Sequence, residues 1–278
     1  MRGSGALGRG LVLPCLMTAV TLLLVGIPLW LVVSSSLEPF EQARQLELGL
    51  AAGEITLDNY REVLVEGEVL RGLVNSLLVV VPALGLLLLL GAAAGWVFAR
   101  ATSRALRALY YVSISGILVP PAIITSVRLL DDIGVYGTRP ALVLFYAGAW
   151  MSLSIFLVTG FAKSIPYEIE ESARIDGAST LRVFWSIVLP SLRPVLWTAM
   201  IFLVLLLWND FFYAFFILSG DERATLPLGL YEFVSASQYE LAWNLIFADV
   251  VVVSLPLLLL YVVAQRQVVA GLMAGAGR

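Results

Sequence analysis

The chain of 278 residues has no histidine, a single cysteine (Cys15) and a single lysine (Lys163). Without histidine, neither an H-E-x-x-H metal site nor a Ser-His-Asp triad can be assembled. A lone thiol can neither close an internal disulfide nor build a thiolate cluster, and Cys15, set in an apolar run, reads as a packing residue. Lys163 is not preceded by the G-x-x-x-x-G of a phosphate-binding loop, so no ATP site of that kind is present. Charge is scarce too, at 13% of residues against roughly 25% in soluble domains. The net charge of −3 points to no nucleic-acid partner.

What the chain has is apolar sequence: 60% of residues are hydrophobic and the mean hydropathy is +0.94. Crossing the ~30 Å hydrocarbon layer takes about 20 apolar residues. Six windows qualify, at roughly 11–35, 73–98, 108–130, 141–161, 192–218 and 243–263. Unbroken runs such as Leu77 to Leu90 favour helices over barrel strands, which would alternate inward and outward at every second residue. The expected fold is therefore all-α, a polytopic membrane protein with six transmembrane helices surrounded by membrane lipid. No internal repeat or low-complexity linker divides it, so residues 1–278 are taken as one domain. The first window follows Arg2 and Arg9 and is longer than the roughly 7–15-residue core of a signal peptide, so it reads as a retained anchor.

Loop charge sets an orientation. With both termini cytoplasmic, the inner side holds 11 of the 17 basic residues, among them the cluster Arg100, Arg104 and Arg107 beside one membrane end. On the outer side, Leu57, Tyr60, Val63 and Leu64 fall at helical spacing. They predict a short amphipathic helix, either a lid on the outer mouth or a contact for a solute-binding protein. A second outer segment, from Ser219 to about Ala242, is long enough to half-enter the membrane.

The segment from Lys163 to Arg193 stops being a span without turning into linker. Ser164 can cap a helix whose first turns hold Pro166, Glu168, Glu170 and Glu171, and Glu170 stands four residues before Arg174 as an ion pair. Ile165, Ile169 and Ala173 form one apolar stripe. Gly177 permits the positive φ of a helix end, and Ser179 or Thr180 can cap a second short helix running to Leu189 and Pro190. Such a helix-glycine-helix cannot bury its apolar edge within itself. It either lies at the lipid interface or docks on a partner.

The spacing of Glu171, Ser172, Ala173, Asp176, Gly177, Ile187, Leu189 and Pro190 matches E-A-A-x(3)-G-x(9)-I-x-L-P, with serine for the first alanine. On this motif, and on Leu57-Asp58-Asn59-Tyr60, Asn75-Ser76, Trp208-Asn209-Asp210, Thr225-Leu226-Pro227 and the tail Gly271, Leu272, Ala274 and Gly275, the chain resembles the MalG-like permeases of bacterial carbohydrate ABC importers. The likeness covers nearly its whole length. It implies a type I importer permease fold in which the 163–193 loop forms coupling helices that dock on a separate ATPase. The implied partners are a second permease, an ATP-binding subunit dimer and an extracytoplasmic sugar-binding protein. ATP and Mg would sit in the ATPase, with no cofactor in this chain, and the tail would reach the ATPase interface. The implied location is the bacterial plasma membrane.

Within the membrane, Asn209 and Asp210 are flanked by Trp208, Phe211, Phe212 and Tyr213, a polar and aromatic lining suited to a sugar. Asn209, Asp210 and Phe212 are therefore candidates for the translocation path, the plain alternative being that Asp210 hydrogen-bonds between helices. Asp249, near the outer end of the sixth window, reads as a packing or snorkelling residue. Two other classes remain: a membrane enzyme acting on a lipid-linked sugar through clustered carboxylates, and an ion-coupled secondary carrier built on paired broken helices.

Overall fold

The computed structural model describes residues 5–44, 55–65, 67–236 and 242–276. Among the described residues the chain is helical throughout, with no strand and a single isolated parallel bridge between Gly137 and Leu218. It divides into two compact units, 1–70 with 229–255, and 71–228 with 256–278.

In the first unit, α1 (Gly5–Thr21) continues through a π-helical turn (Leu22–Gly26) into α2 (Ile27–Ser36). α3 (Phe40–Ala43) and α4 (Asp58–Val65) follow. The expected amphipathic helix is α4, but its apolar stripe is not buried whole. Val63 is fully buried while Leu57 and Leu64 are exposed. The residue that ties α4 down is polar. Asn59, nearly inaccessible, donates from Nδ2 to the carbonyls of Ser36 and Glu38 (both 2.9 Å) and accepts from Asn244 Nδ2 (2.8 Å). It thereby satisfies a carbonyl left open at the C-terminal end of α2. Tyr60 adds a 2.7 Å bond between its hydroxyl and Ser36 Oγ.

The second unit begins with α5 (Val69–Ala99), a 31-residue helix that packs on α8 (Arg139–Ala162). Leucine against leucine gains little over leucine against lipid, so close approach here comes from small residues. Gly91 lies against Ser154, and a Cβ at Gly95 would stand 2.6 Å from Val158 Cγ1. Ser154 Oγ completes the contact by donating to the carbonyl of Leu87 at 2.7 Å. At the other end of α5, Asn75 and Ser76 hold the chain that returns after α13 (Phe212–Ile217). Asn75 Nδ2 donates to the carbonyls of Glu222 (3.0 Å) and Ala224 (2.8 Å), Ser76 Oγ accepts from the backbone N–H of Leu226 (2.9 Å), and Arg139 Nε donates to Asn75 Oδ1 (2.9 Å).

Among the described residues four helices are long and apolar enough to cross a membrane: Leu13–Ser36, Val69–Ala99, Arg139–Ala162 and Trp243–Val262. A bent pair, Thr180–Ser191 and Arg193–Trp208, meets the same criterion as one span with a 71° bend. The third expected window, 108–130, is not a continuous helix. It divides into α6 (Arg104–Ser115) and α7 (Ile123–Asp132) around Gly116 and Pro120-Pro121. Proline supplies no N–H and pushes the residue before it toward extended backbone, and two in succession stop a helix that hydropathy alone would run straight through. The fifth window is broken too: α12 (Arg193–Trp208) ends before Asn209, and α13 starts at Phe212. Non-helical backbone at membrane depth is tolerated where it is buried in protein or lines a cavity. The break at 116–122 borders a cavity of about 350 Å³ that also meets Phe145, Gly148 and Ala149, and one of about 250 Å³ that also meets Trp150 and Tyr213. The return chain after α13 continues as α14 (Leu226–Ala236), and the last helix, α15, runs from Trp243 to Ala276.

Replacing Gly95 by leucine should abolish monodisperse protein in detergent. Gly85→Leu should leave it intact, because a side chain there meets nothing within 4 Å. Asn75→Ala removes three bonds at once and should cost roughly 1–3 kcal/mol. A thermal unfolding scan of the purified protein measures both.

Candidate functional site

Two places gather the candidate residues, the 163–193 segment and the break at 209–211. In the first, the chain leaves α8 through a short turn and enters α9 (Tyr167–Ile175). Ser164 does not cap that helix. Its hydroxyl donates back to the carbonyl of Phe161 (2.8 Å), and Pro166 occupies the cap position with no side-chain bond. α9 ends in a Schellman turn. Ala178 N–H donates to the carbonyl of Ala173 (2.9 Å) and Gly177 N–H to that of Arg174 (3.0 Å), with Gly177 at φ +82°. That left-handed conformation favours glycine, and Ala173 and Ala178, on either side of the turn, both pack against the neighbouring core. Ser179 then caps α10 (Thr180–Val183), its Oγ accepting from the N–H of Arg182 (3.4 Å). A π-helical turn (Phe184–Val188) and α11 (Leu189–Ser191) carry the chain to the bend at Leu192.

As expected, the segment does not bury its apolar surface within itself alone, but much of that surface is covered by α5 and α8 of its own unit and not by lipid or a partner. Val183, Phe184, Val188 and Leu192 join Ala92 and Trp96 of α5 and Val158 and Ala162 of α8 in one core, with Ile165, Ala173 and Leu189 packed against it. The expected stripe is split, because Ile165 and Ala173 turn inward while Ile169 is exposed. What remains outside is a second set: Ile175 (80% exposed), Leu181 (72%) and Trp185 (52%), placed around Gly177 and bordered by the exposed Glu171, Arg174, Asp176 and Arg182. Ser172 is exposed, its hydroxyl turned back to the carbonyl of Glu168 (2.8 Å). Ile187 and Pro190 are half-buried.

Glu170 differs most from its expected place. It keeps the expected i,i+4 ion pair with Arg174, but in place of a residue on an open acidic face it is a carboxylate with 1% of its side chain exposed. Oε1 accepts from Arg100 Nε (2.9 Å) and Nη2 (2.7 Å), Oε2 accepts from Trp96 Nε1 (3.0 Å), and Arg174 Nη2 stands at 3.9 Å. Charge-assisted bonds of this fork geometry are the strong kind, and removing one partner of such a buried pair costs about 3–5 kcal/mol. The available signal was the run of adjacent acids, Glu170 and Glu171, on a helix with one inward face: one must turn in and the other out.

At the second place Asp210 breaks the helix and restarts it. Oδ1 accepts from the N–H of Tyr213 (3.2 Å) and Oδ2 from that of Ala214 (3.1 Å), satisfying two open donors of α13, while Tyr146 donates its hydroxyl to Oδ2 (2.7 Å). Asp210 is thus an interhelical and capping residue, and Tyr146, unmarked in the sequence, is its partner. Asn209 is exposed and its Nδ2 returns to the carbonyl of Leu205 (2.8 Å). Phe212 is half-exposed and stacks edge-on against Phe216 and Tyr213. Asp249 is buried, with Oδ2 lacking a hydrogen-bond partner among the described residues, so it packs within protein and does not snorkel. The tail residues Gly271, Leu272, Ala274 and Gly275 lie in the last turns of α15.

Comparison with known proteins places these elements in a family. Residues 75–273 match the model of the binding-protein-dependent transport system inner membrane component. The diacetylchitobiose uptake system permease protein NgcG of Streptomyces coelicolor is 33% identical over 80% of this chain and 74% of its own length. The melibiose/raffinose/stachyose import permease protein MelC of Bacillus subtilis is 30% identical over 80% and 81%. Among solved structures, a chain of a bacterial ABC transporter that imports the acidic polysaccharide alginate superimposes with a TM-score of 0.84 at 19% identity, covering 96% of this chain and 98% of that one. The chain belongs to the family of inner-membrane components of binding-protein-dependent transport systems.

Proposed function

We propose that the chain is one of two permease subunits of an ATP-driven importer of a sugar or oligosaccharide, coupled to a separate ATPase dimer through its 163–193 loop. The observation that carries the coupling role is the apolar set Ile175, Leu181 and Trp185, exposed around a left-handed Gly177 although the rest of the loop is packed on its own core. An edge left in water beside a well-packed loop is a surface for a partner. A chain without a phosphate-binding loop needs that partner to hold ATP and Mg.

Sugar as the cargo class rests on the names of the relatives, which transport diacetylchitobiose and melibiose-type sugars. The arginine cluster supports both termini on the cytoplasmic side, with the loop on that face and the 218–226 return outside, where an extracytoplasmic sugar-binding protein would deliver its load. The proposed path runs by the breaks of the third and fifth windows, where Asn209 and Phe212 are accessible and Asp210 holds the broken helix in shape. The tail from Gly271 to Gly275 is assigned to the ATPase interface on resemblance. The whole chain is taken as a single permease domain.

In operation, closure of the ATPase dimer on ATP would push the seated loop, and the loop would tilt the helices it joins, α8 and α12, changing which face of the membrane the path opens to. Glu171 and Arg182, charged and exposed beside the apolar set, would fix the register of docking.

Leu181→Asp and Gly177→Trp should abolish co-purification of the ATPase with the permease pair. Gly177→Ala, which meets no neighbour and imposes only backbone strain of roughly 1–2 kcal/mol, should retain it. Undiminished ATPase recovery with both bulky variants would overturn the docking role. At the path, Asn209→Ala should change uptake of diacetylchitobiose or melibiose by proteoliposomes without lowering the melting temperature. Asp210→Ala should lower that temperature, since it removes a cap contributing about 1 kcal/mol. Equal uptake with and without the Asn209 amide would remove it from the path.

A further inference from the structure

We infer that Trp96 and Arg100 of α5 grip the 163–193 loop through Glu170 and make α5 move with it, so that these three residues position a third transmembrane helix during the transport cycle. The inference rests on the proposed coupling role of the loop and adds the route by which its displacement spreads.

Covalently the loop belongs to α8, which precedes it, and to α12, which follows. α5 is remote in sequence, with Glu170 lying 74 residues beyond Trp96 and 70 beyond Arg100. Three contacts join them. Arg100 forks onto Glu170 with two bonds and sends a third from Nη2 to the carbonyl of Ile165 (2.9 Å), holding the chain on both sides of the start of α9. Trp96, one helical turn earlier, donates to the other oxygen of Glu170 and stacks on Phe184 of the second loop helix, ring centroids 5.7 Å apart and planes at 29°. The pair thus touches both helices of the element, before and after the Gly177 turn. Tyr167 adds to the grip, its ring centroid 5.6 Å from the guanidinium of Arg100 and 5.8 Å from that of Arg174 and its hydroxyl accepting from Arg174 Nη1 (3.0 Å).

This arrangement suits load transfer better than plain packing does. Apolar surfaces slide at little cost, whereas a buried carboxylate that loses its donors is left uncompensated in a low-dielectric site. The clamp therefore resists shear between α5 and α9, and Trp96 prevents the two loop helices from hinging apart beneath α5. Glu171, the adjacent acid, is exposed and makes no part of the grip. Docking and transmission are thus divided between neighbouring carboxylates of one helix, one buried and one exposed.

The test uses the full importer, permease pair with ATPase, in liposomes. Nitroxide labels on Thr102, just beyond α5, and Ser186, in the second loop helix, report the distance between helix and loop. Cys15→Ser provides a background without native thiols. The probe is MgATP with vanadate. In the parent, the distance should be the same before and after trapping. In Arg100→Ala and Glu170→Gln it should match the parent at rest and diverge by more than about 2 Å on trapping, the scale of ordinary interface helix shifts. Arg100→Lys should diverge less. Trp96→Phe, which keeps the stacking and loses the donor, should lie between parent and Arg100→Ala. An unchanged trapped distance in all four variants would overturn the inference, and so would a distance already altered at rest, which would make the clamp a folding contact only. If the parent complex itself fails to retain the ATPase, the coupling reading fails instead.

Discussion

The joint between the loop and α5 depends on one carboxylate taken out of water. Glu170 is acceptable in its buried site only while Arg100 and Trp96 supply donors to both oxygens, and those bonds tie α9 to α5 across an apolar core that already seats the two together. Once α9 is placed, the Schellman turn at Gly177 sets the direction of the next helix. Phe184, Val183 and Val188 then fall onto the same core as Trp96 and Val158. The core seats the loop and the polar anchor ties it to α5, and the part of its apolar surface that the core cannot reach is left for something else.

The other constraint is the backbone's need for partners where no water supplies them. It explains why polar side chains in this protein so often serve main-chain groups. Asn59 bonds the carbonyls of Ser36 and Glu38, Asn75 those of Glu222 and Ala224, Ser154 that of Leu87, and Asp210 the N–H groups that open α13. Each sits at a helix end, a return or a close approach. The Gly116 to Pro121 interruption puts irregular backbone beside cavities, the setting in which a path through a membrane protein can open and close.

Local features of the loop were legible in the residues because they are decided by neighbours in sequence. Ser179 caps as its spacing predicts, and Gly177 takes the positive φ that ends α9. The helical class and four of the six windows were legible too, because length and hydropathy suffice for an uninterrupted span. The third window misleads for the complementary reason: hydropathy measures affinity for lipid and is blind to the missing N–H groups of Pro120 and Pro121. Ser164 fits a cap pattern, yet its hydroxyl is taken by the preceding turn. Arg100 reads as one more positive charge at a membrane end and Trp96 as one more aromatic in a span. Nothing in their neighbourhood marks them as the two donors that Glu170 requires.

Residues close in the chain settle the material and the local joints: an all-helical membrane chain without a G-x-x-x-x-G-K phosphate-binding loop, and a motif from Glu171 to Pro190 whose caps and glycine shape two short helices. Tertiary structure decided which side of each helix faces protein. It sent Glu170 inward and Glu171 outward, packed Ala173 against the core and exposed Ile175 and Leu181, and gave Asp210 a tyrosine from another helix. The physical reason is range. Caps and turns are settled within about four residues, whereas the partners of a buried charge are chosen by packing between helices that lie tens of residues apart in the chain.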